Sequence, residues 1–103
     1  DGVEILSPKG VDRIFDVQSD GVVAGLGLPM KLGTGFGLMS PSTPLSPNDR
    51  ACFWGGWGGA ICVIDIELGL SVAYVMNQMA GGLVGDLRGV LLAVTAVGAA
   101  TPA

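Results

Sequence analysis

Apolar residues recur at helical spacing in two segments, one near each end of the chain. The first segment, 7–18, contains Val11, Ile14 and Phe15, and Ser7 stands where it can cap a helix. The second segment, 86–99, contains Leu87, Val90, Leu91, Val94 and Val97. Spacings of three and four residues place each set on one face of a helix. We therefore predict helices over 7–18 and 86–99.

Between these helices the apolar positions follow the patterns of strands. The run "KLGTGFGLM" predicts a single strand over 31–39 that is interrupted by glycines. Residues 52–77 contain three further segments, "CFWGG", "AICVIDI" and "LSVAYVMN". The second segment is continuously apolar, as in a strand covered on both faces, whereas the third alternates. We predict three antiparallel strands within 52–77.

Two connecting segments lack a clear period. Residues 19–30, "SDGVVAGLGLPM", are rich in glycine and show no regular spacing of apolar residues. This pattern predicts a loop or an irregular extended crossing. Residues 40–50, "SPSTPLSPNDR", hold three prolines and predict a surface loop.

Charged residues near the turns are expected to have structural roles. Asp65 and Glu67 lie in the turn "DIELG", where we expect solvated charges. Asp86 precedes the second helix and is expected to cap it, and Arg88 is expected to be a surface or interface charge.

These elements predict an α+β fold in which helices flank an antiparallel sheet. The strands are too apolar for two short helices to cover both faces of the sheet. We therefore expect residues 1–103 to be part of a larger sheet that is completed by further chain, and not to form a complete independent domain.

Composition narrows the range of functions. Half of the 103 residues are hydrophobic and 14% are charged, which excludes an intrinsically disordered chain. The net charge of −4 provides no basic face for nucleic acid. The absence of histidine removes Ser-His-Asp and Cys-His mechanisms contained in this chain, and most zinc sites. No cofactor is indicated.

The longest uncharged run, 68–85, approaches the length of a membrane span. Asn77, Gln78 and the pair Gly81 and Gly82 interrupt this run, so we expect no membrane span. The first residues, "DGVEILSP", lack the basic start and apolar core of a secretory signal. The expected compartment is therefore the cytoplasm.

The two cysteines, Cys52 and Cys62, fit no metal or redox motif by their spacing. If residues 52–66 form a hairpin about Trp57, the cysteines can face each other across it. A disulfide and two free buried thiols both remain open, and free thiols are favoured in a chain with no other cysteine.

The least usual segment is "FWGGWGG", in which two tryptophans alternate with two glycine pairs. Glycine in a strand loses backbone entropy and offers no side chain to pack. Such a run marks a tight bend, or a place where another group approaches the backbone closely. A glycine-rich hairpin with both tryptophans packed in the core is the purely structural alternative.

From this segment onward, "FWGGWGGAICVIDIELGLSVAYVMNQM" resembles the C-terminal part of the serine β-lactamase and penicillin-binding-protein superfamily. Within that superfamily it is most similar to the β-lactamase-like (family VIII) carboxylesterases. Trp-Gly-Gly at 54–56 stands where the superfamily has a Lys-Thr-Gly or His-Thr-Gly triplet. "DIELG" and "AYVMN" are similar to the turn and strand that follow, and "TGFGLM" to the strand that precedes the triplet.

The resemblance implies a β-lactamase/transpeptidase-like fold, of which this chain supplies the C-terminal strands and terminal helix. It also implies a carboxylesterase that cleaves short-chain esters through an acyl-serine intermediate. The residue after the triplet gives a backbone N–H to the oxyanion hole, a catalytic role that falls on Trp57. Gly55 and Gly56 would let the ester lie against the strand. Trp54 would replace a cation with an uncharged indole, which favours an apolar acyl or alcohol group.

The chain lacks the Ser-x-x-Lys motif of this superfamily, and its only tyrosine, Tyr74, lies in an apolar strand. The resemblance therefore implies a partner, the N-terminal remainder of the same hydrolase, which carries the nucleophilic serine, the lysine and the tyrosine. This chain alone is expected to be inactive. The alternatives are a β-lactamase or D-Ala-D-Ala peptidase of the same fold, and a non-catalytic structural or interaction module that shares the hairpin. A small membrane protein is a further alternative.

Overall fold

The computed structural model describes residues 2–103, which contain two helices and six strands. In chain order the elements are α1 (Pro8–Ile14), β1 (Ser19–Val23), β2 (Leu28–Leu32), β3 (Gly37–Leu38), β4 (Ala51–Gly55), β5 (Ile61–Asp65), β6 (Leu70–Tyr74) and α2 (Leu87–Ala100). The strands form one antiparallel sheet in the order β1-β2-β3-β4-β5-β6, so each pairs with its neighbours in sequence. The predicted α+β class is confirmed.

Helix α2 packs against β5 and β6 through small residues. Its buried positions, Gly89, Ala93 and Val97, recur every four residues and form one stripe. A Cβ at Gly89 would lie 2.7 Å from Ile61 Cγ2, so only glycine allows the helix to approach the sheet this closely. No helix in residues 2–103 has the length and apolar character that crossing a membrane requires.

The strand register assigns the side chains of the sheet to two faces. The inner face, which α2 covers at β5 and β6, supplies the buried core residues Met30, Phe53, Ile61 and Val63. The outer face is the opposite one, where Trp54, Cys62 and Ala73 lie side by side across β4, β5 and β6. Trp54 is 45% exposed. Within residues 2–103, therefore, one face of the sheet is covered and the other is open at this row.

The predicted single strand over 31–39 is wrong. The chain reverses between β2 and β3 in a tight turn over 33–36, closed by a hydrogen bond of 2.9 Å from Gly33 N to Phe36 O. Gly35 has a φ of +80°, which glycine adopts without strain. The glycines of this segment therefore reverse the chain, and the apolar residues on either side of them belong to two strands.

The predicted loop or irregular extended crossing over 19–30 is also wrong, because these residues form most of a regular hairpin. β1 and β2 pair from Ser19 opposite Leu32 to Val23 opposite Leu28. Gly27 turns the chain with a φ of +68°. The apolar side chains of these two strands that are buried or half-buried, Val23, Leu28, Met30 and Leu32, all lie on the inner face. Gly21, which has no side chain, occupies an inner-face position opposite Met30, and this hides the alternation in the sequence.

The two helices differ in how well the sequence predicts their ends. Ser7 caps α1 by accepting a hydrogen bond of 3.0 Å from Gly10 N, as expected. The helix ends at Ile14 and not at residue 18, because Gln18 N already donates to Leu32 O at 2.8 Å and extends the pairing of β1 with β2. Asp86 caps α2, and the helix continues to Ala100.

Asp65 is a buried structural residue, and the expected solvated charge is a wrong prediction. The side chain is 1% exposed. Its carboxylate accepts hydrogen bonds from Ser46 Oγ at 2.6 Å, Asn48 Nδ2 at 2.9 Å and Leu68 N at 2.9 Å. Burial acts to raise the pKa of Asp65, but these hydrogen bonds together hold it below its ordinary value. One carboxylate thus joins the proline-rich loop 40–50 to the turn between β5 and β6.

Candidate active site

The glycine-rich segment forms a tight turn between β4 and β5. Gly56 N donates to Ala60 O at 2.9 Å, and Gly59 N donates back to Gly56 O at 3.3 Å. The latter bond closes a four-residue turn over 56–59. Gly58 has a φ of +103° and Gly59 a φ of +127°. With Trp57 at a negative φ, the arrangement is that of a type II turn, which requires glycine at its third position.

The backbone amide of Trp57 has no partner in the described chain. Among residues 2–103, no carbonyl or side-chain oxygen accepts a hydrogen bond from Trp57 N. β3 pairs with β4 only at Cys52 and Phe53, so the edge of β4 beyond Phe53 has no strand beside it in this part of the protein. A free donor therefore lies next to an open strand edge.

The direction of this amide is fixed from the other side of its peptide unit. Gly56 O accepts hydrogen bonds from Gly59 N and from Gly85 N, both at 3.3 Å. The peptide joining Gly56 and Trp57 is trans and planar, so its N–H points opposite to its C=O. Two bonds to the carbonyl thus hold the Trp57 N–H directed away from the turn.

The side chains of the two tryptophans lie apart from the core. The Trp57 indole is 71% exposed. A cavity of about 460 Å³ opens on the outer face, lined by Trp54, Gly55, Gly56, Cys62, Ala73 and Val75 among others. Of the four predicted site residues, Trp54, Gly55 and Gly56 line this cavity, whereas Trp57 does not. The structure therefore brings three of the four into one surface depression and leaves the fourth in the adjoining turn.

The glycines at 55 and 56 have different surroundings. A Cβ at Gly55 would lie 2.7 Å from Gly85 N and 2.8 Å from the carbonyl carbon of Val84, so backbone fills the space where a side chain would be. The nearest atom to a Cβ at Gly56 would be Ala60 Cβ at 3.9 Å. Of the two, only Gly56 has open space beside it, and a ligand needs such space to approach the backbone. Gly55 is explained by packing within the chain.

Two residues beside the turn have a larger role than the sequence predicts. Arg88 is not only a surface charge, because Nη2 donates to Gly58 O at 3.2 Å and Nη1 donates to Gln78 O at 2.9 Å. Asp86 Oδ2 lies 2.7 Å from Arg88 Nη2, and the hydrogen bonds from Arg88 hold the pKa of Asp86 below its ordinary value. The available sequence signal is the Asp-x-Arg spacing at the start of α2, which predicts the cap but not the contact with the turn.

The two cysteines are free. The register places Cys62 opposite Trp54 and Cys52 opposite Ile64, so the cysteines are diagonal neighbours and do not face each other directly. Cys52 is buried, and burial together with the nearby Cys62 raises its pKa to about 11. Cys62 is only partly buried. Residues 2–103 contain no cluster of three or more side chains suited to hold a metal ion.

Two solved structures are similar to the whole of this arrangement. A family VIII carboxylesterase superposes with a TM-score of 0.82 over 97% of this chain, at 30% sequence identity. A penicillin-binding-protein homolog from Caulobacter crescentus superposes with a TM-score of 0.82 over 94% of the chain, at 32% identity. The chain spans 27% of the length of each of these proteins.

No family model and no curated protein matches the sequence. One structural neighbour is a carboxylesterase and the other is a penicillin-binding-protein homolog, and their sequence identities to this chain are nearly equal. The chain therefore has the fold of the C-terminal part of the serine β-lactamase and penicillin-binding-protein superfamily.

Proposed function

We propose that this chain forms one wall of the active site of a serine carboxylesterase that cleaves short-chain esters through an acyl-serine intermediate. The observation that supports this most is the Trp57 N–H, which is unpaired within residues 2–103 and held in a fixed direction. A preorganised donor of this kind stabilises the negative charge that develops on a carbonyl oxygen during acyl transfer.

In this proposal Trp57 supplies one of two oxyanion donors through its backbone. The second donor is the amide of the nucleophilic serine, which belongs to the N-terminal remainder of the hydrolase together with the lysine and tyrosine that move protons. The remainder is the proposed partner, because the chain has no Ser-x-x-Lys motif and spans 27% of its structural neighbours. Loss of one oxyanion donor typically costs about 3 to 4 kcal/mol of transition-state stabilisation.

Two features of the site favour an ester over a β-lactam as substrate. Trp54 presents an indole where the superfamily has a cation, and the cavity beside it is lined by apolar residues and glycine. At Gly55 the backbone of Val84 and Gly85 fills the space that a threonine of the Lys-Thr-Gly triplet would need. The site therefore lacks both the charge and the hydroxyl that hold a substrate carboxylate.

The second candidate is a β-lactamase or D-Ala-D-Ala peptidase, which the penicillin-binding-protein neighbour at 32% identity favours. The two candidates differ in the charge of the substrate. The complete protein is assayed with a short-chain aryl ester and with a chromogenic cephalosporin. We expect saturable hydrolysis of the ester and weak turnover of the cephalosporin; the reverse order would support the second candidate, and no turnover of either would contradict both.

Trp54→Lys tests the assigned role of Trp54 in the same assay. The added ammonium attracts a substrate carboxylate, so kcat/KM for the cephalosporin should rise relative to that for the ester, by about tenfold or more. Trp54→Phe is the matched control, since it keeps an apolar ring and should leave the ratio unchanged. An unaltered ratio in Trp54→Lys would remove Trp54 from the site.

A further inference from the structure

Hydrogen bonds at Gly58, the residue after Trp57, also hold the 56–59 turn. Gly58 N donates to Gly82 O at 2.8 Å, and Ala80 N donates to Gly58 O at 2.8 Å. Arg88 Nη2 adds a third bond, of 3.2 Å, to the same Gly58 oxygen. Every polar backbone group of Gly58 is therefore engaged, and one of its partners is a side chain from α2.

Arg88 connects three separate parts of the chain. While Nη2 bonds to the turn, Nη1 donates to Gln78 O at 2.9 Å, in the segment that also supplies Ala80 to the turn. Asp86 Oδ2 accepts hydrogen bonds from Arg88 Nε at 3.1 Å and from Arg88 Nη2 at 2.7 Å. Because a guanidinium is planar and rigid, these bonds fix the relative positions of the groups they join.

The ion pair and the turn are in direct contact. A Cβ at Gly59 would lie 2.5 Å from Asp86 Oδ2 and 2.9 Å from Arg88 Nη2. The Asp86 side chain is only 13% exposed, which shields the pair from water on one side. Asp86 Oδ1 also accepts from Arg88 N at 2.9 Å, so the pair is anchored to the first turn of α2. Helix α2 itself packs on the sheet through its buried stripe of Gly89, Ala93 and Val97.

We infer that Arg88, held by Asp86, is a positioning residue that keeps the 56–59 turn in the orientation in which the Trp57 N–H faces the reacting oxygen; this inference rests on the proposed function. In this role Arg88 acts through its bond to Gly58 O and not through contact with the substrate. Its removal leaves Gly58 with two backbone bonds and frees the turn to move. The Trp57 N–H is then less well aligned with the oxyanion.

This role predicts a particular kinetic signature. Oxyanion donors act on the transition state more than on the bound ester, so their misalignment lowers kcat while KM changes little. Misplacement of a catalytic group by about 1 Å can cost about a hundredfold in rate. For Arg88→Ala we expect kcat to fall between about tenfold and a hundredfold. A boronic acid analogue of the tetrahedral intermediate should bind more weakly by a similar factor.

The experiment measures kcat, KM and boronic acid inhibition for the complete hydrolase and its Arg88→Ala and Arg88→Lys variants, with a short-chain aryl ester. Arg88→Lys should recover part of kcat, because an ammonium reaches one carbonyl but cannot bond both Gly58 and Gln78. Arg50→Ala is the matched control, since the Arg50 side chain is 40% exposed, as that of Arg88 is, and its contacts with Asp12 and Phe15 lie elsewhere. The control should keep wild-type kcat. Arg88→Lys also serves if the alanine variant fails to fold.

Two results would overturn the inference while leaving the proposed function standing. One is a folded Arg88→Ala or Arg88→Lys enzyme whose kcat stays within twofold of wild type. The other is a rise in KM at constant kcat, which would assign Arg88 to substrate binding. If the wild-type enzyme hydrolyses no ester, the proposed function itself fails, and the inference fails with it.

Discussion

At the scale of single residues, the two tryptophans have different roles although they belong to one motif. In the proposed function Trp57 acts through its backbone N–H, while its indole is largely exposed. In the same proposal Trp54 acts through its side chain, which lines the cavity on the outer face. The sequence alone predicts that this segment is unusual, because few structures need two glycine pairs around two large aromatics. It does not predict which glycine faces packed backbone and which faces open space.

The contrast between Gly55 and Gly56 is directly testable. Gly55→Ala places a methyl group against the backbone of Val84 and Gly85, so we expect a loss of about 1 to 3 kcal/mol in the free energy of unfolding. Gly56→Ala meets nothing closer than 3.9 Å and should change stability by less than about 1 kcal/mol.

Urea denaturation of both variants of the complete protein, followed by tryptophan fluorescence, provides the measurement. Equal stability losses would show that the segment 84–85 does not approach Gly55 as closely as described. Should the activity of Gly56→Ala fall while its stability is retained, substrate approach on that side of the strand would gain support.

At the scale of elements, the quality of prediction follows the density of apolar side chains. β4, β5, β6 and α2 carry continuous or periodic apolar residues, and the sequence predicts all four. β1 and β3 contain glycine, and glycine-containing turns lie on both sides of β2. For these three strands the sequence predicts one strand and a loop or an irregular extended crossing. Glycine has no side chain to reveal burial, so its role in reversing the chain depends on backbone angles that composition does not indicate.

The connection between the proline-rich loop and the β5–β6 turn depends on Asp65. Asp65→Ala would leave three donors, Ser46 Oγ, Asn48 Nδ2 and Leu68 N, without their acceptor. For each of these donors that stays buried without an acceptor, we expect a loss of about 1 to 3 kcal/mol in the free energy of unfolding. Asp65→Asn keeps one acceptor oxygen and should restore part of the stability. The exposed Asp12→Asn should be nearly neutral.

The same carboxylate predicts a pH dependence. Because the pKa of Asp65 is lower in the folded protein than in the unfolded chain, the ionised form favours folding. Its contribution is complete above the unfolded value of about 3.9 and is lost as the pH falls through the lower folded value. The stability difference between wild type and Asp65→Asn should therefore be constant near neutral pH and shrink below about pH 4. A difference that grows on acidification would contradict this assignment.

At the scale of the whole molecule, the distribution of exposed apolar side chains agrees with a chain that needs a partner. Trp54 and Val75 are exposed on the outer side of the sheet, and α2 exposes further leucines. Those leucines are Leu87, Leu91 and Leu92. Monomeric soluble proteins rarely expose large contiguous apolar surfaces. We propose that the N-terminal remainder of the hydrolase covers these surfaces.

This view predicts the behaviour of the 103-residue chain on its own. It should bind the dye ANS, associate at micromolar concentration and hydrolyse no ester, because the nucleophile and the cover are both missing. Addition or co-expression of the N-terminal remainder should reduce dye binding and produce activity. A monomeric isolated chain with full esterase activity would contradict the proposed division of the active site.

The central claim, that the Trp57 backbone N–H is an oxyanion donor, is tested most directly by Trp57→Pro. Proline has no N–H, and it suits the second position of a type II turn, so the substitution removes the donor with little strain. Trp57→Ala is the control, because it removes the same indole and keeps the amide. In the complete hydrolase, kcat/KM for a short-chain aryl ester should fall about 10²- to 10³-fold in Trp57→Pro and change only a few-fold in Trp57→Ala. Equal activity in two folded variants would contradict the claim.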